Sequence, residues 1–223
     1  MDSVDRLLHF LLNGEHSLSR TRMVCCLSIL IGLMSVVYLL TLSDSVGLDF
    51  YQYYLGATAA MNDQPVYVGQ GGSFVYPPVM AAVFFPFTLI SPWELSYGFF
   101  TVVNVGIGVS IGIVTVQFLR EKSVSLGKTD TILLLSFPVL STPAVSTISL
   151  GQINLWIVLL LAVGFVALES DQQRLGGISL GVAAIPKLFP AIVGLYLLRE
   201  GNWRAIISAV VAGVGGLVAG VIL

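Results

Sequence analysis

The chain has 223 residues, of which 56% are hydrophobic and only 10% charged, with a mean hydropathy of +0.94. A soluble domain carries about 25% charged residues, so a chain this poor in charge cannot cover a water-facing surface and is expected in a membrane. The formal net charge of -2, with the ten Lys and Arg scattered, leaves no basic footprint for nucleic acid.

Residues 1–22 carry Asp2, Asp5 and Glu15, and the apolar run Met23 to Leu42 exceeds a signal-peptide core, so a retained anchor helix is expected there. Arg20 and Arg22 just before it predict a cytoplasmic N-terminal segment. Cys25 and Cys26 are adjacent within this run, badly placed for an ordinary disulfide, and read as small apolar side chains. His9 and His16 are the only histidines, and no cluster has metal-ligand spacing, so no metal site is expected.

Between Arg22 and Arg120 there is no Lys or Arg, while Asp44, Asp49, Asp63 and Glu94 fall in the interval, so an external loop over residues 43–92 is predicted. Within it, Val79 to Ile90 is too short to span and is bracketed by Pro77-Pro78 and Ser91-Pro92, which predicts an interfacial or re-entrant helix. The second span is then Glu94 to Leu119, returning to a cytoplasmic loop with Arg120, Lys122 and Lys128. Thr131 to Ile148, interrupted by Pro138 and Pro143, leads out to a turn at Ser149-Leu150-Gly151-Gln152. Ile153 to Leu168 leads back to Glu169, Asp171 and Arg174.

Gly176 to Leu198 is long enough for one span but has Pro186-Lys187-Leu188-Phe189-Pro190 at its middle. One straight helix would bury Lys187 near the bilayer centre and leave Arg199 and Arg204 outside. Two half-helices meeting near Lys187 avoid both and are predicted, with the break covered by protein or a watery cavity. The final run, Ala205 to Leu223, is apolar to the last residue, as expected of a chain that stops partway through a larger fold. Gly108 and Gly112, Gly177 and Gly181, and Gly216 and Gly220 have small-xxx-small spacing for helix packing. The organisation read from these features is a cytoplasmic segment, 1–22, and a membrane domain, 23–223. The fold class is all-α integral membrane, a multi-span helical bundle with an external loop carrying juxtamembrane helices.

Gly106-Ile107-Gly108 does not make a dinucleotide fingerprint, because Ile111 stands where the third glycine belongs. No Walker motif or Ser-His-Asp order occurs either. Asp49 has two readings: an N-cap for the helix that follows, or a general base at the membrane surface beside Tyr51, Tyr53 and Tyr54. The tyrosines also read as an interfacial aromatic anchor. Tyr76 opens a Tyr-Pro-Pro entry to the short helix. Gln152 and Asn154 read as turn residues. Lys187, an ionisable group at membrane depth, either holds a lipid phosphate or bonds carbonyls freed by the helix break.

Together, Asp49-Phe50 with Tyr53-Tyr54, Pro65-Val66-Tyr67, Phe74-Val75-Tyr76-Pro77-Pro78, Pro86, Gly151-Gln152-Ile153-Asn154, and Gly181 through Lys187 to Pro190 resemble glycosyltransferase family 87. That family comprises polyprenyl-phosphate-mannose-dependent mannosyltransferases of the C-type superfamily. The resemblance implies a multi-pass enzyme of a prokaryotic plasma membrane, with an extracytoplasmic site and Asp49 as its catalytic aspartate. It implies a polyprenyl-phosphate sugar as donor, a glycan or glycolipid as acceptor, and substrate contacts at Tyr53, Tyr54, Tyr76, Gln152, Asn154 and Lys187. Membrane lipid is the other expected partner, and no cofactor is expected beyond the lipid-linked substrate.

Complete family members are longer, with further spans after the Lys-x-x-Pro region, so a fragment or half of a split enzyme, with a C-terminal half or partner subunit, is expected. Pro186 departs from the small or apolar residue expected before Lys187. Two alternatives come from other classes: a transporter or flippase for lipid-linked sugars, for which broken helices are characteristic but which predicts an internal repeat that is not found, and a noncatalytic membrane subunit or degenerate enzyme remnant.

Overall fold

A computed structural model of the chain describes residues 45–67 and 74–222, with isolated positions between 27 and 38. The expected cytoplasmic segment 1–22, most of the first span Met23 to Leu42, and Asp44 lie outside the described residues. Where described, the chain is an all-helical membrane bundle: α1 (Leu48–Met61), α2 (Val79–Thr88), α3 (Trp93–Glu121), α4 (Lys128–Leu140), α5 (Thr142–Leu150), α6 (Asn154–Glu169) and α7 (Gln173–Ala184). A 3-10 turn (Phe189–Ile192) then leads to α8 (Val193–Arg199) and α9 (Trp203–Ile222).

Two helices among the described residues, α3 and α9, are individually long and apolar enough to cross a membrane. The 29 residues of α3 extend about 43 Å at 1.5 Å per residue, well beyond the roughly 30 Å of bilayer hydrocarbon. Its outward stripe of Val102, Val105, Val109 and Ile113 is exposed, as suits a face against lipid. The opposite stripe is buried against α4, where a Cβ on Gly112 would lie 2.6 Å from the Leu134 carbonyl oxygen. A Cβ on Gly108 would lie 3.0 Å from that of Pro138. The backbones of α7 and α9 approach just as closely: side chains at Gly177 and Gly181 would overlap the carbonyls of Ala205 and Ala209. The small-residue spacing thus sets two helix interfaces, by removing side-chain bulk where lipid tails offer no hydrophobic drive to association.

The third expected span is a pair, α4 and α5, bent by 41°. The expected interruption at Pro138 is corrected: Pro138 lies inside α4, and the chain breaks at Ser141, with Pro143 in the first turn of α5. A proline is tolerated there because the first-turn N–H has no partner within the helix. The short helix expected over Val79 to Ile90 forms as the ten-residue α2, which buries Met80, Ala81, Phe84 and Phe87. The expected break near Lys187 lies between α7 and the 3-10 turn, at residues 185–188. Pro186 in that break and Pro190 in the 3-10 turn after it withdraw two backbone donors that a continuous helix would need.

The two ends of the bundle differ in chemistry. At one, Lys122 Nζ meets Glu169 Oε2 at 2.6 Å, tying the end of α3 to the end of α6. A polar cleft of about 520 Å³ there is lined by Glu169 and Gln173 together with Glu200 and Arg204. The hairpin of α7 and α8 therefore returns to the end it left, which keeps Arg204 with Lys122 as the charge pattern required. At the other end, Phe50, Tyr53, Phe74, Phe84, Phe87 and Phe100 form an aromatic core between α1, α2 and α3. Rings of Phe50 and Phe100 approach to 4.9 Å, and Tyr53 stacks on Phe84 at 4.3 Å.

Candidate active site

The turn between α5 and α6 is pinned from three directions against the start of α1. Gly47 N–H donates to the Ser149 carbonyl at 2.7 Å, and Tyr97 Oη of α3 donates to the same carbonyl at 2.8 Å. Asn104, fully buried in α3, donates through Nδ2 to the Gln152 carbonyl at 3.2 Å and accepts from Trp156 Nε1 at 2.9 Å. Gly151 closes α5 with φ 74°, and its α-carbon faces Phe50: a Cβ added there would lie 2.5 Å from Phe50 Cβ and 3.1 Å from Phe50 N. Only glycine combines the left-handed backbone with that approach. The turn can therefore touch α1, which brings Gln152 to Asp49.

Four of the expected site residues form one unbroken line. Lys187 Nζ donates to Asn154 Oδ1 at 2.7 Å, Asn154 Nδ2 donates to Gln152 Oε1 at 2.6 Å, and Gln152 Nε2 donates to Asp49 Oδ2 at 2.5 Å. Asn154 Nδ2 also reaches Thr147 Oγ1 at 3.3 Å. Asp49 is in the first turn of α1, where Gly47 is the N-cap and no side-chain cap bond forms. The capping reading of Asp49 is thus not what the fold uses. Its Oδ1 takes no partner among the described residues, and the side chain is half-buried. For Lys187, the contact found is a side-chain amide rather than the carbonyls of the helix break.

Tyr53 and Tyr76 lie together beside this line, with ring centroids 4.9 Å apart. Burial raises the Tyr53 phenol far above its ordinary value, and Tyr76 and the negative charge of Asp49 add to the effect. Burial raises Tyr76 as well, again with Asp49 adding. Both therefore remain neutral hydroxyls that can donate. Tyr54 is placed differently: its hydroxyl reaches the Ile90 carbonyl at 3.5 Å, holding α1 to the turn after α2. Asn104, Tyr97 and Trp156 were missed from the sequence. Asn104 was in principle findable, as a carboxamide in the middle of a long apolar helix, but its partners lie 48 and 52 residues away.

An apolar cavity of about 260 Å³ lies between α7, α8 and α9, lined by Leu180, Ile185, Leu188, Leu197, Val210 and Leu217 among others. Ile185 and Leu188 flank Lys187 in sequence, so the break that carries the ammonium also borders the cavity.

The described residues thus form a helical membrane bundle with a carboxylate at one end, tied through two amides to an ammonium in a broken helix. The chain matches the model of glycosyltransferase family 87 over residues 74–223 and belongs to that family. It is similar to a polyprenol-phosphate-mannose-dependent alpha-(1-2)-phosphatidylinositol pentamannoside mannosyltransferase of Mycolicibacterium smegmatis (strain ATCC 700084 / mc(2)155). The two are 34% identical over 134 residues, covering 60% of this chain and 31% of the relative. A protein of the same description from Mycobacterium tuberculosis (strain CDC 1551 / Oshkosh) is 31% identical over 153 residues, covering 66% of this chain and 34% of the relative. The chain spans about a third of the length of these curated relatives. No solved structure matches it. The family match contains Tyr76, Gln152, Asn154 and Lys187 and begins after Asp49, Tyr53 and Tyr54.

Proposed function

We propose that this chain acts in transferring a hexose, mannose, from a polyprenyl-phosphate donor to a hydroxyl of an extracytoplasmic glycan or glycolipid, with Asp49 as general base. The observation that carries this is the hold on Asp49. Gln152 engages Oδ2 and leaves Oδ1 open, which orients a carboxylate for a single proton transfer at the end of the bundle away from Lys122 and Arg204. Membership of glycosyltransferase family 87, and the mannosyltransferase relatives, support the reaction class and the donor.

In the proposed step, Asp49 Oδ1 takes the proton of the acceptor hydroxyl as that oxygen bonds to the anomeric carbon. The bond from that carbon to the phosphate oxygen breaks, and the lipid phosphate leaves with the electron pair. Displacement from the opposite face inverts the anomeric centre. The leaving group is already a phosphate, so the step balances without a nucleotide or a sugar bound to the enzyme. Lys187 has three N–H donors and spends one on Asn154, leaving two for a phosphate oxygen. The neighbouring apolar cavity suits part of a polyprenyl tail. Tyr76, half-buried beside the line, would face the acceptor sugar, with the fully buried Tyr53 packed behind it.

The test is transfer of radiolabelled mannose from polyprenyl-phosphate-mannose to membrane glycolipid or glycan, comparing the chain with Asp49→Asn at equal membrane levels. Asn keeps an acceptor for Gln152 but cannot take a proton, so transfer should vanish while insertion is unchanged. Substantial turnover by the variant would defeat the assignment.

A further inference from the structure

Gln152 and Asn154 do more than fill the space between Lys187 and Asp49. Each turns its carbonyl oxygen toward the lysine side and its NH₂ toward the aspartate side, so the two amides point the same way along the line. We propose that these two amides are positioning residues that couple Lys187 to Asp49, so that a change of partner at the ammonium is felt by the carboxylate two side chains away. The part that concerns phosphate rests on the function proposed above; the coupling itself does not.

The sense of the line follows from its ends. An ammonium only donates and an ionised carboxylate only accepts. If Asn154 were flipped, its NH₂ would face the Lys187 ammonium; if Gln152 were flipped, its carbonyl oxygen would face the Asp49 carboxylate. Either flip sets like against like, and a single flip also places two donors or two acceptors together between the amides. One arrangement satisfies every contact, and each bond polarises the next.

The backbone under the line cannot drift to relieve a mismatch. Gln152 N–H is held by the Thr147 carbonyl at 2.8 Å, and its own carbonyl is held by Asn104. Changes at Lys187 must therefore pass through the side-chain amides. Remove or divert the ammonium and Asn154 keeps only Gln152 and Thr147, whose hydroxyl can donate or accept. Asp49 still requires the Gln152 NH₂, so the sense of the line holds, but Asn154 is no longer polarised by the ammonium and donates more weakly to Gln152, which in turn donates more weakly to Asp49. A phosphate drawing Lys187 away would do the same reversibly, loosening the hold on the base when donor arrives.

The coupling can be read on the full chain in lipid nanodiscs, with Asn, Gln and Trp labelled with nitrogen-15 and side-chain amide signals assigned with Gln152→Met and Asn154→Leu. Lys187→Met should displace the Gln152 side-chain signal, Lys187→Arg should keep it near its wild-type position, and the Trp156 indole signal should stay in place as the sign of an intact turn. In an Asn154→Leu background, Lys187→Met should no longer move Gln152. An unmoved Gln152 signal in Lys187→Met overturns the coupling. The second arm adds undecaprenyl phosphate, or undecaprenol as its uncharged counterpart, to the wild-type chain. Movement of both Asn154 and Gln152 with the phosphate alone supports transmission of a donor phosphate, and movement of Asn154 without Gln152 overturns it. No movement of either overturns the phosphate role of Lys187, while the Lys187→Met comparison still decides the coupling.

Discussion

Replacing Gly151 by Ala tests how the turn reaches Asp49. Two costs arise at one atom. The left-handed backbone at φ 74° disfavours a side chain by about 1–2 kcal/mol. The new Cβ would also stand 2.5 Å from Phe50 Cβ, where ordinary carbon contacts lie near 3.5–4.0 Å. Phe50 cannot yield, since it is fully buried among Phe84, Phe87, Tyr97 and Phe100. Overpacking of this kind costs about 1–3 kcal/mol, giving a total of roughly 2–5 kcal/mol. Reversible unfolding in mixed micelles measures it. Gly151→Asn separates the two terms, because Asn tolerates the left-handed region but carries the same Cβ. If the contact with Phe50 governs, Asn should be nearly as damaging as Ala. Full stability in either variant would refute the idea that the turn is drawn onto α1 by close backbone approach.

Asn104→Leu fills the space but strands the Gln152 carbonyl and the Trp156 indole N–H, at about 1–3 kcal/mol for each unsatisfied group; the same unfolding assay should show the loss. Gly181→Leu should separate α7 from α9, because its side chain would overlap the Ala209 carbonyl, and disulfide trapping between cysteines placed on the two helices should fail in the variant. Tyr53 provides a pH test. Its folded-state phenol is raised above the unfolded value near 10, so its share of stability is complete below about pH 10 and is lost as the pH rises further. Stability should hold level from pH 7 to 9 and decline above 10, with a smaller decline in Tyr53→Phe.

The spans and their breaks were readable because they depend on local properties. The expected second span, Glu94 to Leu119, differs from α3 by only a residue or two at each end, since run length and flanking charge set both limits. The break at Lys187 followed from two prolines and the cost of burying a cation. Proline was less decisive in α4, where Pro138 stayed inside the helix and the chain turned at Ser141. The line from Asp49 to Lys187 was only half legible. Its members could be named from residue type and motif, but their order depends on contacts 103 and 33 residues apart in sequence. The roles of Tyr97 and Asn104 were not legible, because each acts by holding a distant carbonyl, and nothing in the apolar pattern of α3 marks that partner.

The meeting of α1 and α6 at this site has an electrostatic consequence. Asp49 lies in the first turn of α1, and Asn154 is the first residue of α6. Each helix start carries about half a positive charge from its aligned peptide dipoles. The ends of α5 and α7, at Leu150 and Ala184, bring about half a negative charge each to the same region, so the four helix ends cancel and the Lys187 ammonium is balanced by the Asp49 carboxylate. The ammonium and the carboxylate are thus each other's counter-charge across two amides, and neutralising either would leave the other uncompensated at the margin of the bilayer.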